Sequence, residues 1–524
     1  MLIATICKFL LQQQATERYA RPRLMVCAPS NKAVTVLAAR YLKAEQIKTS
    51  PFRAVMVGDK EKMLSEDRLR FKDIFIYTWV ENMVKDLKSI CQRLSDRNKA
   101  HKGKQIKALE KRLYDGVPEY ALRSERGVQA LMQRLLDSVS SFEKGEVDKT
   151  VKELTRRLWK LERDIQGVLL HKANVIFCTL SSAGATIVKR TDPVEGLIID
   201  EAAASVELET YIPMAMGPER IMIVGDPKQL PATIMSQHAK ARGLAKSLQE
   251  RLMFDESQPY TMLNVQYRMR PEISRFPSKT FYEGGISDGS NVSKPSYHVA
   301  EYRTLVSDQP YIFIQEDGTE IQKPSGSFQN MAEAERVVAI LMDLKKISSR
   351  ETFVRPGQAR NIWFSIDRVR VITFYQAQVE LISNMLNANG LQQVTVSTVD
   401  SSQGSEADLI IISFVRTSKT KGVGFLSDDR RLNVALTRAK YKLISIGNSD
   451  CLSKAQGRGT ATIQSLAKDA VDREIISKYL PKVKVVRPHQ TWVPSRNSNR
   501  GRGQKRNQNP TREGQNLVKR RKKN

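Results

Sequence analysis

The run Leu197-Ile198-Ile199-Asp200-Glu201-Ala202-Ala203 is followed a short way downstream by Val224-Gly225-Asp226-Pro227-Lys228-Gln229-Leu230-Pro231. An apolar run that ends in Asp-Glu predicts a buried parallel strand with two carboxylates at its C-terminal edge. At such an edge the aspartate can hold a magnesium ion through water, and the glutamate can orient and deprotonate an attacking water. A lone Asp-Glu after a strand is equally an ordinary way to solvate a strand end. The second strand, with its Gly-Asp-Pro-x-Gln turn, weighs against that bland reading.

Working outward, short apolar runs at 24–28 and 175–178 join those at 197–199 and 221–224, and a second set lies at 369–374, 394–399, 409–414 and 443–446. Strands of this kind alternating with helical stretches predict parallel sheets covered on both faces. Residues 1–58 read helix, strand, helix, with Pro29-Ser30-Asn31 as a turn that can cap the helix from Lys32. Between these sets, residues 59–170 turn charged and helical. Val80, Met83, Leu87, Ile90 and Leu94, and again Val151, Leu154, Leu158, Leu161 and Ile165, recur at spacings of three and four. Two such arms predict an antiparallel helical stalk, the alternative being two amphipathic helices lying on the domain. An acidic-basic helix is expected near 465–480. Beyond Arg487 the chain is Arg, Lys, Asn, Gln and Gly with almost nothing to bury, so a disordered basic tail is expected.

With 524 residues and 41% hydrophobic content, the chain can bury two or three sizeable cores. Lys and Arg total 85 against 56 Asp and Glu, leaving a formal charge of +29. That surplus points to a polyanionic partner, with nucleic acid favoured over an anionic membrane. No apolar stretch reaches the roughly 18 residues that span a bilayer. The opening MLIATICKFLLQQQ lacks the basic start and small-residue cleavage site of a signal peptide, and it reads as a buried helix. The 5 cysteines and 5 histidines are scattered, which argues against a disulfide framework or a zinc site.

The ordered blocks resemble the motif series of superfamily 1 helicases, in the group containing the nonsense-mediated-decay helicase and senataxin. Ala28-Pro29-Ser30-Asn31-Lys32-Ala33-Val34 is similar to motif Ia, and Phe177-Cys178-Thr179-Leu180-Ser181-Ser182-Ala183-Gly184 to Ib. Asp200-Glu201-Ala202-Ala203 resembles motif II, and the run from Gly225 to Pro231 resembles motif III. Gln266-Tyr267-Arg268-Met269-Arg270-Pro271 is similar to the arginine-bearing block that opens the second domain. Val371-Ile372-Thr373-Phe374-Tyr375 resembles motif IV, and Val399-Asp400-Ser401-Ser402-Gln403-Gly404-Ser405-Glu406 resembles motif V. Arg431-Leu432-Asn433-Val434-Ala435-Leu436-Thr437-Arg438-Ala439-Lys440 resembles motif VI. Apart from the 59–170 insertion, the resemblance covers about residues 1–450.

What the resemblance implies is an α/β fold: two RecA-like, P-loop NTPase-type domains with parallel sheets, a helical insertion and a disordered basic tail. Residues 1–58 and 171–260 would form a partial first domain and 59–170 the stalk. Residues 261–450 would form the second domain, 451–486 a C-terminal helical segment and 487–524 the tail. ATP would lie between the domains, with Asp200 holding Mg2+ through water and Glu201 acting as base. Gln229 would sense the γ-phosphate, and Arg268 and Arg438 would reach it from the second domain. A planar guanidinium suits that task because phosphoryl transfer spreads charge over equatorial oxygens. Tyr267 would stack on adenine and Glu406 would accept from the ribose hydroxyl. Ser30, Asn31, Thr179 and Thr398 would contact the phosphates of single-stranded RNA or DNA without reading sequence, each of them being otherwise a cap or turn former.

The implied activity is 5′-to-3′ ATP-dependent unwinding of RNA or an RNA–DNA hybrid. The stalk would project near where nucleic acid enters, separating strands or binding a protein partner. Lys519-Arg520-Arg521-Lys522-Lys523 resembles a nuclear-import signal, with no membrane association expected. One departure matters. The group places Gly-x-x-x-x-Gly-Lys-Ser/Thr just before the helix that begins here at Met1, yet no glycine precedes Gly58 and no Gly-Lys-Ser/Thr occurs anywhere. A phosphate cradle needs glycines that let backbone N–H groups converge, and a lysine. The expectation is therefore an incomplete version of the protein, inactive by itself; the alternative is an ATPase-deficient nucleic-acid-binding or scaffold protein. The joint presence of Glu201, Gln229, Arg268 and Arg438 favours the first.

Overall fold

The computed structural model describes Ile6, residues 22–43 and 54–58, Gln166, Gly167, Leu170 and His171, residues 173–299, Tyr302, and residues 304–350, 366–418, 422–479 and 485–487. The expected stalk over 59–170 and the tail over 487–524 lie outside these residues, apart from Gln166, Gly167, Leu170 and Arg487. Of the expected first helix, Ile6 is described; it is helical and fully buried.

Among the described residues, β1 (Leu24–Ala28), β2 (Ala54–Val57), β3 (Val175–Thr179), β4 (Gly196–Ile199) and β5 (Arg220–Ile223) form one parallel sheet in the order β2-β3-β1-β4-β5. The central strands are buried along their whole length, as continuous apolar runs demand. Helix α1 (Asn31–Lys43) packs Val34, Leu37, Ala38, Ala39 and Tyr41 inward, and the Tyr41 ring meets Phe177 edge-on at 5.3 Å. Ser30 Oγ accepts from the Ala33 N–H at 3.2 Å, so the expected cap forms. The helix expected from Lys32 is α1, and it is followed by a strand that was not expected, Ala54–Val57, too brief to betray its period. Cys27 and Cys178, opposite each other in β1 and β3, are buried free thiols with sulfurs 3.6 Å apart.

The second sheet has six strands among the described residues: β6 (Tyr311–Gln315), β7 (Val369–Thr373), β8 (Thr395–Thr398), β9 (Ala407–Ser413), β10 (Ala439–Gly447) and β11 (Ile476–Ser477), all parallel in the order β8-β7-β9-β10-β6-β11. Side-chain alternation splits its interior into two cores. Ile410 and Ile412 face α2 (Pro271–Phe281), α5 (Asp429–Leu436) and α6 (Ala461–Asp472). Leu409 and Ile411 face the opposite core with α3 (Met331–Arg350) and α4 (Gln376–Ala388). Two expectations are corrected here. Val399 leaves β8 to begin the short helix Val399–Ser402, capped by Thr398. The helix expected to 480 stops at Asp472, because Glu474 adopts a left-handed conformation (φ 53°) and Ile476 then pairs with Phe313.

A buried polar knot fastens the C-terminal end of β9. Glu333, fully buried in the first turn of α3, accepts from Ser413 Oγ at 2.6 Å and from the Val415 N–H at 3.0 and 2.9 Å. Gln378 Nε2 donates to the same Ser413 hydroxyl at 3.0 Å and to the Asn330 carbonyl at 3.1 Å. Val415 is left-handed at φ 72°, costly for a β-branched residue, and Glu333 holds its amide there. Burial pushes the Glu333 carboxyl up to about 8.

Candidate nucleotide site between the two sheets

Asp200 and Glu201 emerge at the C-terminal end of β4, where the chain turns sharply. Glu201 is left-handed at φ 54°, and the Asp200 N–H donates to the Cys27 carbonyl at 2.8 Å. The neighbouring turn begins at Gly225, where a Cβ would lie 2.8 Å from the Ala203 nitrogen and 2.9 Å from the Ala202 nitrogen. Only glycine lets the motif III turn lie against the motif II turn. Gln249 Nε2 donates to the Gly225 carbonyl at 3.0 Å and secures the turn from behind.

Burial, reinforced by the adjacent Glu201 charge, raises the Asp200 carboxyl to about 6. Such an anion favours a nearby cation. Among the described residues no group of three or more His, Cys, Asp or Glu side chains is poised to cage a metal. A strand-end carboxylate is a donor that suits magnesium, which keeps several waters and is held jointly with phosphate oxygens. The raised value also has a stability consequence. The folded state keeps its proton up to about pH 6 while the free carboxyl loses it near 3.8. The group's contribution is therefore complete below that lower value and is lost as pH rises through 6. Asp200→Asn should stabilise the fold by up to about 3 kcal/mol at pH 7.5, and by much less at pH 5. Denaturant titrations at both pH values test this; an equal gain at each would contradict it.

Residues from the second sheet's side close on the turn. Gln229 Nε2 donates to Asp226 Oδ2 at 2.7 Å, while Gln229 Oε1 accepts from Arg438 Nη2 at 3.2 Å. Arg438 is 3% exposed and also donates to the Val434 and Ser405 carbonyls at 2.9 and 3.3 Å. Burial, with Arg268 nearby, lowers its pKa to about 10, and the charge of Glu201 acts on it in the opposite sense. Tyr282 Oη donates to Asp226 Oδ2 at 2.5 Å, and Asn433 Nδ2 donates to the Lys228 carbonyl at 2.9 Å. Leu230, the apolar residue of the same turn, is buried in the second sheet's core. Arg430 pairs with Glu250 at 2.7 Å.

Gln229 and Arg438 are thus brought together, with Arg438 within electrostatic reach of Glu201. Arg268 and Glu406 are also joined, but to each other: Arg268 Nε donates to Glu406 Oε2 at 2.8 Å, and Lys440 Nζ lies 2.8 Å from Glu406 Oε1. Burial favours the neutral Glu406 acid, yet Lys440 and Arg268 outweigh it and bring its pKa down to about 2. In this state the carboxylate expected for ribose and the first expected finger neutralise one another. Tyr267 is 64% exposed, and its ring lies against Gly289, where a Cβ would come within 2.4 Å of Tyr267 Cδ1. The Gln266 side chain braces the loop, accepting from the Arg268 and Met269 N–H groups at 2.9 and 2.8 Å.

Ser30, Asn31 and Thr179 share one edge of the first sheet, since Ala28 and Thr179 are register partners. Lys32 Nζ reaches the Ser401 carbonyl at 3.5 Å, which ties that edge to the turn capped by Thr398. The Thr179 and Thr398 hydroxyls are engaged as caps, accepting from the Ser182 and Ser401 N–H groups at 3.2 and 3.3 Å. Lys32, Gln249, Gln266, Tyr282 and Asn433 were not singled out as site residues in the sequence reading. Lys32, Gln266 and Asn433 stand inside the quoted motif blocks, so their position was a signal; Tyr282 and Gln249 carried none.

The chain matches the family description "AAA domain" over residues 2–237 and again over residues 244–450. It is 29% identical to "Helicase sen1" of Schizosaccharomyces pombe, over 88% of this chain and 27% of that protein. Against "ATP-dependent helicase upf1" of the same organism it is 31% identical, over 86% of this chain and 42% of that protein. It is 37% identical to "Regulator of nonsense transcripts 1 homolog" of Neurospora crassa, over 57% of this chain and 26% of that protein. The chain therefore spans between about a quarter and two fifths of the length of these relatives. Two RecA-like parallel sheets that bear the motif residues on facing edges, and two matches that together run from residue 2 to residue 450, place the chain in the Upf1/Sen1 group of superfamily 1 helicases.

Proposed function

We propose that the protein to which this chain belongs hydrolyses ATP to move 5′-to-3′ along single-stranded RNA or DNA, unwinding RNA duplexes or RNA–DNA hybrids. The observation that carries this reading is the contact of Gln229 with Arg438 across the two sheets, with Arg438 within electrostatic reach of Glu201. When bound, magnesium-ATP supplies the phosphoryl group and part of the charge compensation for its transfer. Asp200 would hold the ion through water, and Glu201 would take the proton of the attacking water. Gln229 would orient that water, with Arg438 neutralising the equatorial oxygens. Tyr267 would offer its face to adenine. For Arg268 and Glu406 to serve nucleotide, their mutual pair must open.

Ser30, Asn31, Thr179 and Thr398 are proposed to face the nucleic-acid backbone. Because the hydroxyls of Thr179 and Thr398 already cap helices, the backbone N–H groups of those turns are the better phosphate donors. The basic tail would add sequence-blind affinity that weakens with salt, and its Lys519-to-Lys523 cluster would direct the protein to the nucleus.

The test uses the protein as its own transcript encodes it, in a strand-displacement assay on duplexes with a 5′ overhang. ATP-dependent unwinding that Glu201→Gln abolishes is expected. Absence of unwinding, or a Glu201→Gln variant that matches wild type, would leave the scaffold reading in its place.

A further inference from the structure

Tyr282 stands where the two halves of the site meet, yet nothing in the reading above uses it. It follows the last residue of α2 and packs against the apolar core that lines the second sheet. Its hydroxyl nevertheless points to the first sheet's turn, donating to Asp226 Oδ2 at 2.5 Å, while it accepts from Asn433 Nδ2 at 2.8 Å. Burial, with the Asp226 charge beside it, pushes the phenol well above the ordinary tyrosine range, so it remains a donor at working pH.

The direction of each neighbouring link follows from chemistry. An ionised carboxylate only accepts and a guanidinium only donates, so Gln229 must turn its nitrogen to Asp226 and its oxygen to Arg438. The Lys228 carbonyl only accepts, so Asn433 must turn its nitrogen inward, at 2.9 Å from that carbonyl. The result is one chain of bonds: Asn433 to Tyr282, Tyr282 to Asp226, Gln229 to Asp226, and Arg438 to Gln229. Both ends of the chain, Asn433 and Arg438, belong to the motif VI block of the second sheet's side. Its middle, Asp226 and Gln229, belongs to the first sheet's turn.

We propose that Tyr282 is a positioning residue that registers the Gln229 amide against Arg438 as the two sides close. The inference rests on the ATPase reading above and names a further residue for it. Without the phenol, Asp226 loses the donor supplied from the opposite side, and the Gln229 amide keeps one link to that side, through Arg438. One contact in place of two fixes the amide less closely as the sides meet.

The experiment compares wild type, Tyr282→Phe, Gln229→Ala and the double variant, in the protein as its transcript encodes it, with Glu201→Gln as the inactive control. Tyr282→Phe removes one oxygen and keeps the packed ring. Its kcat for ATP hydrolysis on single-stranded RNA should fall about 10- to 100-fold, the range for one hydrogen bond to a charged group. The KM for ATP should stay within about twofold of wild type, since the phenol is argued to act on the reacting geometry and not on nucleotide affinity. In the Gln229→Ala background the same change should cost nothing further. An equal loss in both backgrounds, or a kcat equal to wild type, overturns the inference while the Glu201-dependent activity stands. Absence of any hydrolysis that Glu201→Gln removes overturns the function on which it rests.

Discussion

In the protein proposed above to hydrolyse ATP, Arg438→Ala should reduce nucleic-acid-stimulated hydrolysis by about a thousandfold or more, the effect associated with removing an arginine that neutralises a transferring phosphoryl group. The side chain is almost wholly buried, and two carbonyls and a threonine hydroxyl besides Gln229 hold its guanidinium in one plane. Burial lowers its pKa only to about 10, so the positive charge is kept at neutral pH. Arg438→Lys would preserve the charge but not the fork, and should recover little of the loss. Arg268→Ala should cost less than Arg438→Ala, because Arg268 is held by Glu406 and must first be released. Steady-state hydrolysis on single-stranded RNA, with RNA affinity measured in parallel, separates lost chemistry from lost folding. Activity of Arg438→Ala within tenfold of wild type would show that this guanidinium does not meet the nucleotide.

The largest expected effect on stability lies at Glu333. Its carboxyl group meets Ser413 Oγ and the Val415 N–H in a fully buried setting, so Glu333→Ala leaves both without their partner and opens a cavity, at a cost of roughly 3 to 5 kcal/mol. Glu333→Gln keeps one oxygen acceptor and should behave differently with pH. The wild-type carboxyl is raised from 4.5 to about 8. Its stabilising contribution is therefore complete below pH 4.5 and is lost progressively as pH climbs through 8. The glutamine variant has no such titration, so its stability relative to wild type should improve steadily between pH 5 and pH 9. Denaturant midpoints across that range provide the check, and parallel curves for the two proteins would contradict a buried, titrating Glu333.

The strands that carry the motifs were legible because a strand buried on both faces needs an unbroken apolar run, and Leu24–Ala28, Gly196–Ile199 and the Leu409-to-Ile412 stretch of β9 supply one. Tyr311–Gln315 is equally apolar, but it stands apart from the motif blocks, and apolarity alone does not assign a run to a sheet. The end of β8 was misjudged because Val399 suits a strand by type, whereas Thr398 caps a helix at that point and tertiary context prevails. Identity was legible at the site and pairing was not. Arg268 and Glu406 were both expected to serve the nucleotide, and no local pattern reveals that residues 138 positions apart engage each other. Tyr282 and Asn433 meet across 151 positions for the same reason.

The three described thiols divide between the two sheets, with Cys27 and Cys178 in the first and Cys451 on the second sheet's side. Each is inaccessible while its own half stays closed, so Cys27 and Cys178 report one opening event and Cys451 another. With Cys7 and Cys91 replaced by serine, the rate at which a thiol-reactive dye labels Cys451 follows the breathing of the second half. Labelling at Cys27 and Cys178 follows the first. The chain thus carries a native pair of clocks, which can time whether RNA or nucleotide quiets one half before the other.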